Sequence, residues 1–65
     1  MPAYTFEIRW AGGEQNSWTY FPTDESARNY ARLLAENFKA GGQYRSSAQL
    51  VVKNGKGEAI ASIQF

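Results

Sequence analysis

The sequence predicts a small α+β domain of order ββαββ, with a four-stranded antiparallel sheet and one helix packed across one of its faces. Three observations predict it. An N-terminal segment alternates apolar and polar residues, a central segment repeats apolar residues every three or four positions, and a C-terminal segment places two apolar runs around an Asn-Gly turn. With 65 residues, the chain is expected to form one domain, residues 1–65, near the lower size limit for a core of its own.

The first strand is predicted over residues 4–10, whose even-numbered positions are apolar or aromatic and whose odd-numbered positions are polar or charged. This period of two is typical of a strand with one buried face. The polar, glycine-bearing residues 11–16 are predicted to form a loop of about five or six residues. Residues 17–21 are rich in β-forming side chains and are predicted to be the second strand, which completes a hairpin.

The helix is predicted to begin after Pro22, with Thr23 as its N-cap and Asp24 and Glu25 in its first turn. The tandem glycines 41–42 end it, because glycine tolerates the left-handed C-cap conformation. Between these signals, apolar side chains recur at helical spacing and form one amphipathic stripe. They are Ala27, Tyr30, Ala31, Leu34 and Phe38.

The third and fourth strands are predicted over residues 48–53 and 58–65. They are joined by a turn at Asn54-Gly55, in which both residues need a positive φ. In an alternative version, Gly57 extends the turn to four residues. The helix stripe is expected to pack on Phe6, Ile8, Leu50, Val52, Ile63 and Phe65. The other face of the sheet is expected to be open to solvent and mostly polar, carrying Thr5, Glu7, Arg9, Gln49, Val51 and Lys53. The order of the strands in space is left open by these patterns.

Several letters of this arrangement match a known pattern: Met-Pro-x-Tyr-x-Phe at residues 1–6, an acidic residue with an Ala-Arg pair at 24–28, and a final hairpin that ends on phenylalanine at 51–65. In these letters the chain resembles a family of short alpha-proteobacterial proteins of unknown function. It departs from that family at residues 13–16, where the family has an acidic Asp-Glu-Glu-Gly turn, and at the unusual Trp18. The resemblance implies the fold and no activity.

The composition excludes several kinds of active site. The chain has no cysteine and no histidine, which removes disulfides, thiolate ligands and the usual general base. Each of its carboxylates has a simpler role at a helix start, at a turn or in an ion pair, such as Arg32 with Glu36 and Glu7 with Arg9 or Lys53. We therefore expect a non-enzyme without cofactor or metal. Without a long apolar run or a signal-peptide pattern, we expect it in the cytoplasm.

Protein binding is the function that the aromatic and basic residues favour, because Trp, Tyr and Arg dominate interface hot spots. Trp10 and Trp18 flank the first turn and are large for so small a core. They either form an exposed interface on that hairpin or cap the open end of the core. The candidate partner-binding residues are Arg9, Trp10, Trp18, Tyr20, Arg28, Arg32, Tyr44 and Arg45.

The hypothesis is thus a protein-interaction module that binds or occludes a protein partner or complex, with a homodimer left open. One version is a bacterial accessory protein; another, based on size and the missing catalytic set alone, is a phage or mobile-element inhibitor of the anti-CRISPR type. The alternative is nucleic-acid binding through aromatic stacking and basic side chains. A net charge of +1 is evidence against the nucleic-acid alternative, because proteins that bind nucleic acid usually carry a strong basic excess. The two hypotheses differ in whether the cations converge with exposed Trp or Tyr on one face; these cations are Arg9, Arg28, Arg32, Arg45, Lys53 and Lys56.

Overall fold

The computed structural model describes residues 1–42 and 48–65 and confirms the predicted ββαββ fold. All neighbouring strands are antiparallel, and their order in the sheet is β2-β1-β3-β4. The two hairpins therefore lie side by side, with β1 and β3 in the centre and β2 and β4 at the edges. The elements are β1 (Ala3–Trp10), β2 (Gly13–Tyr20), α1 (Asp24–Gly41), β3 (Gln49–Lys53) and β4 (Ala59–Gln64).

The core lies between α1 and one face of the sheet. The helix reaches the sheet closely because its three buried residues are alanines, and it lies against β3 and β4. The expected packing is confirmed on the sheet side, with Ile63 and Phe65 half-buried against the core cluster. On the helix side, Ala35, which the predicted stripe omits, is buried, and Tyr30 is 41% exposed. Strand β2 is exposed along its whole length. The buried residues of the cluster are Tyr4, Phe6, Ile8, Ala27, Ala31, Ala35, Leu50 and Val52.

Both predicted ends of the helix are confirmed. The Thr23 hydroxyl accepts a hydrogen bond from the Ser26 backbone N–H at 3.1 Å, and Gly42 adopts the left-handed conformation with φ of 62°. Asp24 has a further role, because its carboxylate accepts a hydrogen bond of 2.5 Å from the buried Tyr4 hydroxyl. That hydrogen bond, followed by burial and the carboxylate charge, raises the pKa of Tyr4 above its ordinary value, while Arg28 opposes the shift.

The first hairpin differs from the prediction. The expected loop over residues 11–16 is wrong, because β1 and β2 pair as far as Trp10 and Gly13 and leave a turn of only Ala11 and Gly12. The polar residues 14–16 belong to a strand that is solvent-exposed on both faces, so they need no apolar alternation. Gly12 suits this turn because a Cβ there would lie 2.8 Å from the Trp10 indole nitrogen.

The second turn also differs in its backbone. Positive φ was expected at Asn54 and Gly55, but Gly57 is the residue with positive φ, at 83°. The Asn54 side chain holds the turn instead: its Oδ1 accepts from the backbone N–H groups of Lys56 and Glu58, each at 3.0 Å. The turn thus takes the longer form that includes Gly57.

Candidate functional site

The face of the sheet opposite α1 carries no other described element, and we call it the open face. Strand register places its members. Trp18 lies opposite Thr5, and Thr5 lies opposite Lys53 on the other side. The six side chains expected here from sequence alternate with the buried residues of β1 and β3, which confirms the prediction. The strand order adds four residues of β2, namely Glu14, Asn16, Trp18 and Tyr20.

Two aromatic rings on β2 form the most exposed apolar feature of the open face. Trp18 is 63% exposed and Tyr20 is 55% exposed. They are two residues apart on one strand and therefore project to the same side, where their rings meet edge to face with centroids 5.3 Å apart. Their partners on β1 are the small residues Thr5 and Ala3, which leave the rings uncovered. We call Trp18 and Tyr20 the aromatic pair.

The charges of the open face neutralise one another beside the aromatic pair. The Glu7 carboxylate, largely buried at the centre of the sheet, binds Arg9 at 2.9 Å and Lys53 at 3.1 Å. Arg9 also lies 3.6 Å from Glu14 on β2. The expected contacts of Glu7 with Arg9 and Lys53 are confirmed. The charges of these two cations and two carboxylates therefore cancel, and each cation contacts at least one carboxylate.

The structure separates the two tryptophans that the sequence placed on one hairpin. Trp10 follows Ile8 on the helix side of β1, is half-buried and packs against the core cluster, with its indole over the first turn. It thus matches the core-capping alternative. Trp18 lies on the other face and has no such cover.

The remaining candidates do not join the aromatic pair. Arg28 and Arg32 lie on α1, across the sheet from the open face. Arg32 donates to Asn29 at 3.3 Å, and among the described ion pairs there is none between Arg32 and Glu36. Tyr44 and Arg45 lie outside the described residues. Of the eight candidates, the structure places three on the open face, which are Arg9, Trp18 and Tyr20, with Arg9 at the opposite end of the hairpin from the aromatic pair.

The structure contains a groove between α1 and β2 that the sequence patterns do not predict. It has a volume of about 360 Å³, with Phe6 and Ile8 among its lining residues and Tyr30, Leu34 and Phe38 on the helix side. It exists because α1 lies over β3 and β4 rather than over β2. The signal was in β2, whose helix-side residues are polar and give the helix no apolar surface to cover: Gln15, Ser17 and Thr19.

Comparisons with known proteins leave the site to be judged from its geometry. No protein-family model matches the chain, and no similar protein was found among curated proteins or solved structures. The resemblance to a family of unknown function thus stays a prediction. Across residues 1–42 and 48–65, acidic side chains form no group of three or more that could hold a metal ion. In the same residues no helix has the length and apolarity to cross a bilayer.

Proposed function

We propose that the protein is a non-enzymatic interaction module, which binds a protein partner or complex through the open face with the aromatic pair at the centre of the contact. One observation carries this proposal: Trp18 and Tyr20 each expose more than half of their surface on a face that no described element covers. Aromatic side chains contribute much of the binding energy at protein interfaces, and exposed apolar patches mark such interfaces.

The charge arrangement favours a protein over a nucleic acid. Affinity for nucleic acid depends on cations that neutralise phosphates. Arg9 and Lys53, the basic residues on the open face, already bind carboxylates. Arg28 and Arg32 lie on the helix, on the other side of the sheet. These four cations are therefore bound to carboxylates or placed across the sheet from the aromatic pair, which supports the protein-binding hypothesis.

The mechanism is occlusion or scaffolding rather than chemistry. The partner would offer an apolar recess for the two rings, surrounded by polar groups of both signs that match Arg9, Glu14 and Lys53. We place this activity in the cytoplasm, where both a bacterial accessory protein and a phage or mobile-element inhibitor of the anti-CRISPR type would act. Either role needs a surface that competes for a partner and no catalytic residue.

A capture experiment tests the proposal. Immobilised wild type, Trp18→Ala and Leu33→Ala are incubated with cell lysate, with and without nuclease treatment, and bound proteins are identified by mass spectrometry. Leu33 is the matched control, because it is a large apolar residue, 59% exposed, on the helix. We expect a defined protein to bind wild type and Leu33→Ala and to bind Trp18→Ala at least about tenfold more weakly, as for a hot-spot residue.

Two outcomes would contradict the proposal. Equal capture by Trp18→Ala and wild type would show that the aromatic pair is not the binding surface. Capture that disappears after nuclease treatment would favour the nucleic-acid alternative, with Trp18, Tyr20 and Arg9 as a stacking platform.

A further inference from the structure

Within residues 1–42 and 48–65, no strand pairs with the outer edge of β2, which is an edge strand of the sheet. The Phe21 N–H donates to the Pro2 carbonyl at 3.1 Å, so residues 2 and 21 form a hydrogen-bonded pair. Hydrogen-bonded and non-bonded pairs alternate in an antiparallel ladder, so every second residue of β2 points its N–H and C=O away from β1. Phe21 points its N–H towards β1, so the residues that alternate with it point theirs outward. These outward-pointing residues are Glu14, Asn16, Trp18 and Tyr20.

This edge lacks the features that usually prevent strand addition. Charged residues, prolines, bulges and short length protect the edges of sheets. Strand β2 has eight residues, pairs with β1 without a register shift and contains neither lysine nor proline. Its single charged residue, Glu14, is bound to Arg9. The opposite edge differs, because β4 is shorter and its pairing with β3 shifts between Val52 and Lys53.

We propose that the partner of this edge is a second copy of the chain, whose β2 adds antiparallel to β2 with Ser17 of both copies on the two-fold axis. In this register Glu14 pairs with Tyr20 of the second copy and Asn16 pairs with its Trp18. All the outward-pointing residues of both strands then exchange hydrogen bonds.

Neighbouring registers are poorer. A shift of two residues in one direction places Tyr20 opposite Gly12, which lies in the turn. The same shift in the other direction places Glu14 opposite Pro22, which has no N–H to donate. A shift of one residue is excluded, because it would place an outward-pointing residue opposite an inward-pointing one. In the proposed register no charged residue faces a like charge.

The pairing would join the two sheets into one of eight strands, with both helices on the same side. The two Trp18 residues become diagonal neighbours, about 7–8 Å apart, on a shared open face. The inference deepens the proposed function, because one enlarged surface would carry both aromatic pairs. It is tested on the purified chain alone, so its failure is distinct from a failure of the capture experiment.

A single cysteine tests the register, since the chain has none of its own. In Ser17→Cys the two thiols face each other across the axis at a non-bonded pair, where the Cα separation of about 4.5 Å suits a disulfide. Gln15→Cys is the matched control, exposed on the same side of β2. In the proposed dimer, the cysteines of the two Gln15→Cys copies would lie four residues apart along the strands. This separation of about 13 Å is too large for a disulfide.

We expect Ser17→Cys to form a disulfide dimer at least about tenfold faster than Gln15→Cys under mild oxidation in dilute solution. Asn16→Pro removes an outward-pointing N–H without touching the bonds to β1, so it should keep the circular dichroism of the fold and sediment as a monomer, whereas wild type sediments as a dimer. Equal cross-linking of the two cysteine variants, a monomeric wild type at millimolar concentration, or a dimer that persists in folded Asn16→Pro would each overturn the proposal.

Discussion

Replacing Trp18 with alanine should leave the fold nearly intact, although tryptophan is the largest side chain. The residue is 63% exposed, and its main contact is the edge-to-face ring of Tyr20 at 5.3 Å. An aromatic pair of this kind contributes about 0.5–1.5 kcal/mol beyond its buried area, and the covered part of the side chain adds on the order of 1 kcal/mol, so the free energy of unfolding should fall by about 2 kcal/mol. Phe6→Ala is the comparison, because Phe6 is 2% exposed in the core and its truncation should cost about 3–5 kcal/mol.

The assay is urea unfolding of wild type and the two variants at fixed pH and protein concentration. Both variants retain Trp10, whose half-buried indole reports on the core by fluorescence. A domain of this length has a stability of roughly 3–10 kcal/mol, so Trp18→Ala should unfold cooperatively while Phe6→Ala should lose much of its folded population. If Trp18→Ala costs as much as Phe6→Ala, Trp18 is a structural residue and the interpretation of the open face is wrong.

Three further perturbations test the local interactions. The pKa of Tyr4 is raised in the folded state. The protonated Tyr4 hydroxyl therefore contributes fully to the free energy of unfolding below the ordinary pKa of 10.0, and this contribution is lost as the pH rises through the folded pKa. Wild type should therefore lose more stability than Tyr4→Phe in chemical unfolding as the pH rises above about 10, and parallel losses would contradict this. Thr23→Ala removes the N-cap and should cost about 1 kcal/mol in thermal unfolding, whereas no loss would mean that the cap bond to the helix contributes little. Gly12→Ala should displace the Trp10 indole, 2.8 Å from the new Cβ, and shift its N–H resonance in NMR; an unchanged resonance would contradict the described turn.

The parts of the fold that depend on burial were predictable from sequence. The alternation in β1 identifies which of its side chains leave water, and the helix caps are set by Thr23 and Gly42. The apolar stripe of α1 identifies Ala27 and Ala31 but misses the buried Ala35 and includes the exposed Tyr30. Strand β2 was predicted only in part. Its first residues are polar because both of its faces are exposed, and a polar strand at a sheet edge has no periodicity that distinguishes it from a loop.

The candidate site was less predictable because it depends on strand order and register. The sequence did not distinguish Trp10 from Trp18 as a candidate interface residue. Their positions on β1 and β2 place them on opposite faces of the sheet. The register also places Glu7 between Arg9 and Lys53. The sequence predicted these contacts, because all three residues lie on the polar face of β1 and β3. The groove beside β2 follows from the position of α1 over β3 and β4, which no local pattern specifies.

Two-dimensional ¹H–¹⁵N NMR can show whether the open face binds a protein through the aromatic pair. The chain has two tryptophans and therefore two indole N–H signals. On titration with the captured partner, we expect the Trp18 signal and the amides of Tyr20 and Thr5 to shift or broaden first, while the Trp10 indole signal stays in place. Changes confined to α1, around Tyr30 and Leu33, with an unaffected Trp18 signal would show that the partner binds elsewhere than on the open face.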